Sequence, residues 1–167
     1  MPFDFNLETS LDDIDWSIVV SLQEDARLSM AALGRKVGLS APATTERVRR
    51  LEERNVIRAY RAEIGLEQVG LSVQALVRIK APGQGLGKAT RALCSLPEVL
   101  ECHRATGGDC FVLRVVVPDI KELERLLDRM APFGDLTTSV ILSTPLWRRI
   151  IDKPARGKNR PPSTQEA

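Results

Sequence analysis

The segment 28–60 constrains the fold most, because two short helical patterns flank a tight turn within it. It reads LSMAALGRKVGLSAPATTERVRRLEERNVIRAY. Ser29 and Ser40 are preferred N-cap residues, Pro42 suits the first turn of the second helix, and Gly38 accepts the positive φ that ends the first one. These signals predict a helix-turn-helix, a motif whose second helix enters the major groove of DNA.

A further helix is predicted before this motif. Asp12 or Asp13 is expected to cap it, because acidic residues suit the positive end of a helix dipole. Ile14, Ile18 and Leu22 then recur at helical spacing and form an apolar stripe. The N-terminal module is therefore predicted to contain three helices.

Charge is distributed unevenly along the chain. Residues 1–25 contain seven acidic residues and no basic ones, whereas residues 27–61 contain nine basic and three acidic residues, a net charge of +6. The whole chain carries only +2. A basic stretch of this kind is typical of a surface that binds phosphate groups.

The second helix of the motif is predicted to present one side to double-stranded DNA. Thr44 and Arg47 are predicted to contact base edges, since arginine reads guanine with two hydrogen bonds and a threonine methyl contacts thymine. The other basic residues are predicted to contact phosphates. The predicted DNA-binding residues are Ser40, Ala43, Thr44, Arg47, Arg49, Arg50, Arg54, Arg58 and Tyr60.

Two further expectations concern this region. The segment 55–61 is β-prone and is predicted to form a short wing or exit strand. The arginines of the preceding helix have an alternative role as a solvated face, paired at helical spacing as Glu46–Arg50 and Arg49–Glu53.

The periodicity changes from helical to alternating after residue 72. The C-terminal module is predicted to be strand, helix, strand, strand, helix, strand, at residues 73–79, 86–96, 99–106, 111–117, 118–130 and 136–143. In the second helix, Ile120, Leu123, Leu126 and Leu127 are expected to face inward. This order predicts a ferredoxin-like βαββαβ sandwich, so the fold class is α+β. Because the helices cover only one face of such a sheet, we infer a sheet-to-sheet homodimer.

Composition argues against several other classes. Cys94, Cys102 and Cys110 form no CxxC pair and, with His103, match no zinc-ligand spacing, so no metal or cofactor is predicted. No apolar run approaches the roughly 20 residues needed to span a membrane. The acidic residues 1–13 lack the pattern of a secretory signal, so a cytoplasmic, nucleoid-associated protein is expected.

Domain boundaries are placed where pattern and composition change. The helix-turn-helix domain is assigned to residues 11–62, a linker to 63–71 and the ferredoxin-like domain to 72–146. Residues 147–167 are basic and rich in proline, and are predicted to be a disordered tail that either adds affinity for DNA or is simply solvated.

Residues 11–143 resemble the Lrp/AsnC family, the leucine-responsive or feast/famine transcription regulators. The resemblance rests on the order of four segments, LDDIDWSIVVSLQEDARLSMAALGRKVGLS, RVRRLEERNVIRAYRAEI, LPEVLECHRATGGDCFVLRV and TTSVILST. It implies a winged helix-turn-helix joined to a ferredoxin-like ligand-sensing domain. It also implies homodimers that assemble into octamers and bind an amino acid between dimers.

The resemblance implies an effector site in two segments of the C-terminal module. A glycine-rich turn exposes backbone N–H groups to a carboxylate, and an acidic side chain accepts an ammonium. Many relatives have an acid where this chain has Cys110, and its acid stands one position earlier. Alternatively, the glycines simply form a hairpin turn. The matching residues are Gly107, Gly108, Asp109, Cys110, Thr137, Thr138 and Ser139.

The sequence therefore predicts a transcription regulator whose DNA binding is modulated by an amino acid or a related metabolite. One alternative is an architectural protein that binds DNA with little sequence preference. A second is an enzyme, because the sirohaem decarboxylases resemble the same two-module fold. They are expected to be rich in His and Arg in the segment matching residues 101–111, where this chain has only His103 and Arg104, so no enzyme is predicted.

Overall fold

The computed structural model describes residues 11–83 and 85–154. The described residues divide into two compact units: one comprises those up to Ala62 together with those from Arg148 onward, and the other comprises Glu63–Trp147. In the part of the chain that is described, no helix has the length and apolar character needed to cross a membrane.

Three helices form the first unit: α1 (Asp13–Glu24), α2 (Met30–Val37) and α3 (Ala41–Glu53). The predicted caps are confirmed. The Asp12 carboxylate accepts the backbone N–H of Asp15 at 2.8 Å, and Ser29 and Ser40 cap α2 and α3. The side chains at the centre of the unit are fully or almost fully buried: Ile18, Leu22, Leu33, Val48 and Leu51.

The turn between α2 and α3 depends on two glycines. Gly38 ends α2 with φ of 76°, a left-handed conformation that is favourable for glycine. Gly34 lies where the two helices approach closely: a Cβ atom there would lie 2.7 Å from the backbone oxygen of Leu39 and 2.8 Å from Oγ1 of Thr44. Both positions therefore fix the geometry of the helix-turn-helix.

The second unit is a four-stranded antiparallel sheet with two helices. Its elements are β1 (Val73–Lys80), α4 (Leu86–Cys94), β2 (Val99–Arg104), β3 (Phe111–Val117), α5 (Ile120–Met130) and β4 (Asp135–Val140). The strand order is β2-β3-β1-β4. The predicted βαββαβ order is confirmed.

The core of the second unit lies between one face of the sheet and the helices. Ala75, Val77 and Ile79 alternate inward along β1 and pack with buried residues of β3, α4 and α5. One inward expectation was wrong: Ile120 is 58% exposed. Asp119 caps α5, so Ile120 is its first residue and precedes the turn whose Leu123 reaches the core.

The predicted strand at 55–61 was also wrong, because these residues form no strand within the chain. The backbone N–H groups of Val56 and Ile57 both donate to the carbonyl oxygen of Leu51, at 2.9 and 3.1 Å. Asn55, which lies between α3 and Val56, has a positive φ of 57°. These bonds turn the chain back at the end of α3 and leave it irregular as far as a short 3₁₀ helix at Glu67–Val69.

The first part of the predicted tail, up to residue 154, lies among the described residues and contacts α1. Ile151 bonds through its backbone to the side chain of Gln23 on α1, at 2.8 and 2.9 Å. Composition gave no sign of this contact, because a glutamine amide pairs with any backbone and requires no particular side chain at the partner position. The rest of the predicted tail, 155–167, lies outside the described residues.

We expect Gly34→Ala to destabilise the first unit by about 1–3 kcal/mol, the usual cost of overpacking a close contact. Urea unfolding followed by circular dichroism measures this loss. Gly87→Ala is the control, because a Cβ at this helical glycine of α4 meets only an arginine side-chain nitrogen at 3.9 Å. Equal stability of Gly34→Ala and the unmodified protein would refute the close approach of α2 and α3.

Candidate nucleic-acid interface and ligand site

The buried side of α3 determines which of its residues face solvent. Thr44, Val48 and Leu51 are spaced four and three residues apart and are all buried. Because a helix turns about 100° per residue, positions that do not follow this spacing point away from the buried side. The exposed positions of α3 are Pro42, Ala43, Thr45, Arg49, Arg50, Glu52 and Glu53.

Thr44 was predicted to contact a base edge, and its burial contradicts this. The residue is 0% exposed, and its hydroxyl donates to the carbonyl oxygen of Ser40 at 2.9 Å. It packs against Gly34, where only glycine leaves room for it. Thr44 therefore belongs to the contact between α2 and α3.

Arg47 was also predicted to read bases, but its guanidinium is bonded to α1. One of its terminal nitrogens lies 2.6 Å from a carboxylate oxygen of Asp12 and 2.8 Å from one of Asp15. The Arg47 side chain is 30% exposed and that of Asp15 only 13%. We call this group of three residues the acidic clamp. These ion pairs join the middle of α3 to the start of α1.

The pKa values of the clamp residues reflect this pairing. The pKa of Asp12 is lowered, first by the backbone hydrogen bond from Asp15 and then by the bond from Arg47. The pKa of Arg47 is raised, first by its bond to Asp12 and then by its bond to Asp15. Asp12 therefore stabilises both its own helix cap and the contact between two helices.

Arg49 and Arg50 lie on the exposed side of α3, and both pair with Glu46. The Glu46–Arg50 contact is 3.0 Å, Arg49 approaches Glu46 at 2.8 Å, and Arg49 also pairs with Glu53. The helical pairs expected under the alternative interpretation are thus both present. All four side chains are well exposed, and exposed ion pairs are weak, so a phosphate group can compete for both arginines.

The remaining predicted DNA-binding residues lie at the two ends of α3. Ser40 is occupied as the N-cap, Ala43 is exposed in the first turn, and Arg54 is the C-cap. Arg58 is exposed beyond the helix. The Tyr60 hydroxyl donates to Glu52 at 2.9 Å; partial burial and this acceptor raise the pKa of Tyr60 to about 12.

Sequence reasoning missed Thr45. It is exposed, and its hydroxyl donates to the carbonyl oxygen of Ala41 at 2.9 Å. The sequence contained the signal for this placement. If Val48 and Leu51 face the core, the helical repeat places residue 44 on the buried side of α3 and residue 45 on the exposed side.

The first segment of the predicted effector site is the connection between β2 and β3. Gly107 and Gly108 are exposed, and Gly107 has φ of 107°, which favours glycine. Asp109 and Cys110 are partly buried. The Cys110 thiol donates to the carbonyl oxygen of Ala81 at 3.3 Å, so it is directed toward the end of β1.

The second segment of the predicted effector site lies on β4, at the other edge of the sheet. Thr138 is opposite the buried Val77 on β1, so it shares the helix-covered face. Thr137 and Ser139 lie on the uncovered face. Two strands separate β4 from β2, each about 4.8 Å from the next. The end of the first segment lies nearer to β4 than β2 does. The Cys110 N–H donates to the carbonyl oxygen of Ile79 on β1, and Ile79 pairs with Leu136 on β4, so only β1 lies between Cys110 and β4.

Neither segment forms a metal site. Within residues 11–83 and 85–154, no three His, Cys, Asp or Glu side chains come together as metal ligands. The thiols of Cys94, Cys102 and Cys110 are free, and burial raises the pKa of Cys102 to about 11.

The fold and these surfaces define a class of protein with an N-terminal helix-turn-helix and a separate α+β domain. Two family models match the chain: the AsnC-type helix-turn-helix domain over residues 11–52, and the Lrp/AsnC ligand binding domain over residues 74–151. The chain therefore belongs to the Lrp/AsnC family of transcriptional regulators.

Individual relatives agree with the family models. The chain is 34% identical over 133 residues to the HTH-type transcriptional regulator LrpC of Bacillus subtilis, a match that covers 80% of this chain and 92% of the relative. It is 37% identical over 142 residues to the HTH-type transcriptional regulator LrpA of Mycobacterium tuberculosis, covering 83% and 94%.

Solved structures share the fold. The structure of Bacillus subtilis LrpC matches with a TM-score of 0.77 at 34% identity, covering 80% of this chain and 96% of that one. The transcriptional regulator NMB0573 of Neisseria meningitidis, solved as a complex with L-Met, matches with a TM-score of 0.79 at 25% identity, covering 85% and 96%.

We expect Asp12→Asn to remove part of the acid sensitivity of the first unit, because asparagine keeps the cap but cannot carry the clamp's charge. The pKa of Asp12 in the folded protein lies below its usual value of 3.8. Its charge therefore stabilises the fold above about pH 4, and this contribution is lost as the pH falls through the lowered pKa.

Urea midpoints from pH 7 down to about pH 2.5 measure this effect. The variant is expected to be less stable at neutral pH and to lose less stability on acidification than the unmodified protein. Glu63→Gln, an exposed carboxylate outside the clamp, is the control. Parallel pH curves for Asp12→Asn and the unmodified protein would contradict the role given to Asp12.

Proposed function

We propose that this protein is a sequence-specific DNA-binding transcription regulator whose activity is modulated by an amino acid bound at an oligomer interface. The observation that carries the proposal is the exposed side of α3. Helix α3 is the second helix of the helix-turn-helix, in which Ser29 and Ser40 cap the two helices and Gly38 ends the first. Its exposed side presents Arg49 and Arg50, which are held only by exposed ion pairs.

The DNA contacts divide between the two ends of this surface. Ala43 and Thr45 are small and exposed near the start of α3, where a recognition helix approaches base edges most closely. Arg49 and Arg50 lie one turn later and are suited to phosphates, as is the exposed Arg58 beyond the helix. Thr45 takes the base-reading role in this proposal, because Thr44 is buried and Arg47 is paired with α1.

Small-molecule binding is proposed at the connection between β2 and β3. The exposed glycines 107 and 108 offer backbone N–H groups to a carboxylate, and Asp109 offers an acceptor to an ammonium. An amino acid carries both groups. The structural relative NMB0573 was solved with L-Met, which supports the same class of ligand here.

In this proposal, a second copy of the chain completes the effector site. Both predicted effector segments contain exposed residues, Gly107 and Gly108 in the connection between β2 and β3, and Thr137 and Ser139 on the edge strand β4, which residues of a second copy can cover. The face of the sheet that the helices leave uncovered bears Leu76, which is 39% exposed, and Val112. Pairing of two such faces as a homodimer, and assembly of dimers into octamers, would supply that second copy.

The relatives of this chain are named as transcriptional regulators, which favours regulation over catalysis. Binding of a fluorescent duplex from the region upstream of the protein's own gene tests the proposal, with random duplex as competitor and the twenty amino acids added in turn. Preference for the upstream duplex that one amino acid alters is the expected result. Preference without any response would refute the effector, and equal binding to both duplexes would show an architectural protein.

Two variants sharpen the test at the level of residues. Asp109→Asn is expected to raise the Kd for the responding amino acid about tenfold, because a bond to its ammonium is lost. Its binding to DNA without the amino acid is expected to be unchanged. Asp128→Asn, an exposed aspartate on α5, is the matched control. Equal responses of both variants would place the effector elsewhere.

A further inference from the structure

Two of the three cysteines of the chain lie side by side within the second unit. Cys94 is the last residue of α4, and Cys102 lies on β2. Their side chains are in hydrogen-bonding contact with each other, and both thiols are free. Cys110 is directed elsewhere, because its thiol donates to the carbonyl oxygen of Ala81. Cys94 and Cys102 therefore form a thiol pair, and Cys110 is a separate thiol.

The topology of the second unit produces this thiol pair. Cys102 is opposite the buried Leu113 on β3, so its side chain is on the face of the sheet that the helices cover, and it packs against the core there. Helix α4 packs against β2, and a tight connection joins the two elements. The N–H of Leu96 donates to the carbonyl oxygen of Leu93 at 3.3 Å, and the N–H of Val99 donates to that of Leu96 at 3.1 Å. The backbone therefore keeps the end of α4 beside β2.

The two thiols differ in their surroundings. Cys94 is exposed, so an oxidant in solution reaches it directly. Cys102 is half-buried. Burial, and after it the hydrogen bond with Cys94, raises the pKa of Cys102 to about 11, so this thiol stays protonated at neutral pH. Because oxidation follows exposure, it is expected to begin at Cys94, with Cys102 beside it to react second.

We propose that Cys94 and Cys102 form a modification site that a peroxide oxidises reversibly to a disulfide. The O–O bond of hydrogen peroxide breaks, one oxygen converts the Cys94 thiol to a sulfenic acid, and the other leaves as water. The Cys102 sulfur then attacks the Cys94 sulfur. An S–S bond forms, and the hydroxyl group of the sulfenic acid leaves with the Cys102 proton as a second water. The two sulfurs lose two electrons in total, and these reduce the peroxide.

The position of the pair is suited to closing this bond. The sulfur atoms of a disulfide are about 2.05 Å apart, so two thiols in hydrogen-bonding contact must approach further. Cys94 ends α4, and the ends of helices fray. Leu93, the residue before it, is fully buried and holds the helix on the core. The approach therefore requires movement at the exposed end of α4 and none in the core.

The disulfide would constrain the strand that leads to the proposed effector site. From Cys102, β2 continues to Arg104, and the chain then enters the connection that contains Gly107 and Gly108. A covalent bond from β2 to α4 fixes one end of that connection. This regulatory consequence rests on the proposed function, whereas formation of the disulfide does not.

Trypsin digestion and mass spectrometry of the full-length protein test the proposal without DNA or an amino acid. Trypsin cleaves after arginine and lysine, so Cys94 and Cys102 fall in one peptide, 92–104, and Cys110 falls in the next, 105–114. After hydrogen peroxide and then iodoacetamide, peptide 92–104 is expected to have lost two hydrogen atoms and to carry no alkyl group. Peptide 105–114 is expected to be alkylated. Dithiothreitol before alkylation is expected to restore both alkylation sites of peptide 92–104.

Cys110→Ser is the matched control, because it removes the separate thiol; peptide 92–104 is expected to lose its two hydrogen atoms as before. Cys102→Ser leaves Cys94 without its neighbour, so the peptide is expected to gain oxygen instead.

Three results with the unmodified protein would overturn the proposal: peptide 92–104 alkylated at both cysteines after peroxide, the same peptide carrying added oxygen without loss of hydrogen, or a disulfide that joins two copies of the chain. Failure of DNA binding or of the amino-acid response in the earlier test would leave the disulfide standing, so the two proposals fail separately.

Discussion

The acidic clamp is the interaction on which the rest of the helix-turn-helix unit depends. Asp12 and Asp15 cap α1 reciprocally, and both hold the guanidinium of Arg47 in the middle of α3. Because Asp15 is largely buried, removing Arg47 would leave a carboxylate without its cation, which costs more than the net worth of the pair. One arginine therefore fixes the orientation of α3 relative to the helix that begins the fold, and it determines which residues of α3 remain outside.

This assignment changes how the basic charge of the N-terminal region is interpreted. A net charge of +6 in residues 27–61 indicates phosphate binding, but the charge is divided among different tasks. Arg47 neutralises the acidic start of α1, whereas Arg49 and Arg50 remain in exposed pairs that a phosphate can replace. Asp12 and Asp15, which precede the motif, are therefore structural partners of the basic helix.

Local signals were sufficient to predict the fold from the sequence. N-cap residues, the glycine at the turn and the alternation in strands act through neighbours within a few positions, and the βαββαβ order followed from them. The site was harder to predict. The burial of Thr44 and the pairing of Arg47 with α1 do not follow from local signals, because the face of α3 depends on partners on α1 and α2. Ile151 bonds to a side chain 128 positions away through its backbone, which leaves no trace in composition.

The most direct test of the account is the base preference of Arg47 and Thr45 variants, selected from a library of randomised duplexes. Because we propose that Arg47 holds α3 through Asp12 and Asp15 and leaves base reading to Thr45, Arg47→Gln is predicted to select the same sequences as the unmodified protein, with lower overall affinity. Thr45→Ala is predicted to lose preference at one position. Loss of a guanine preference in Arg47→Gln, with Thr45→Ala unchanged, would contradict the account, because Arg47 would then be reading DNA.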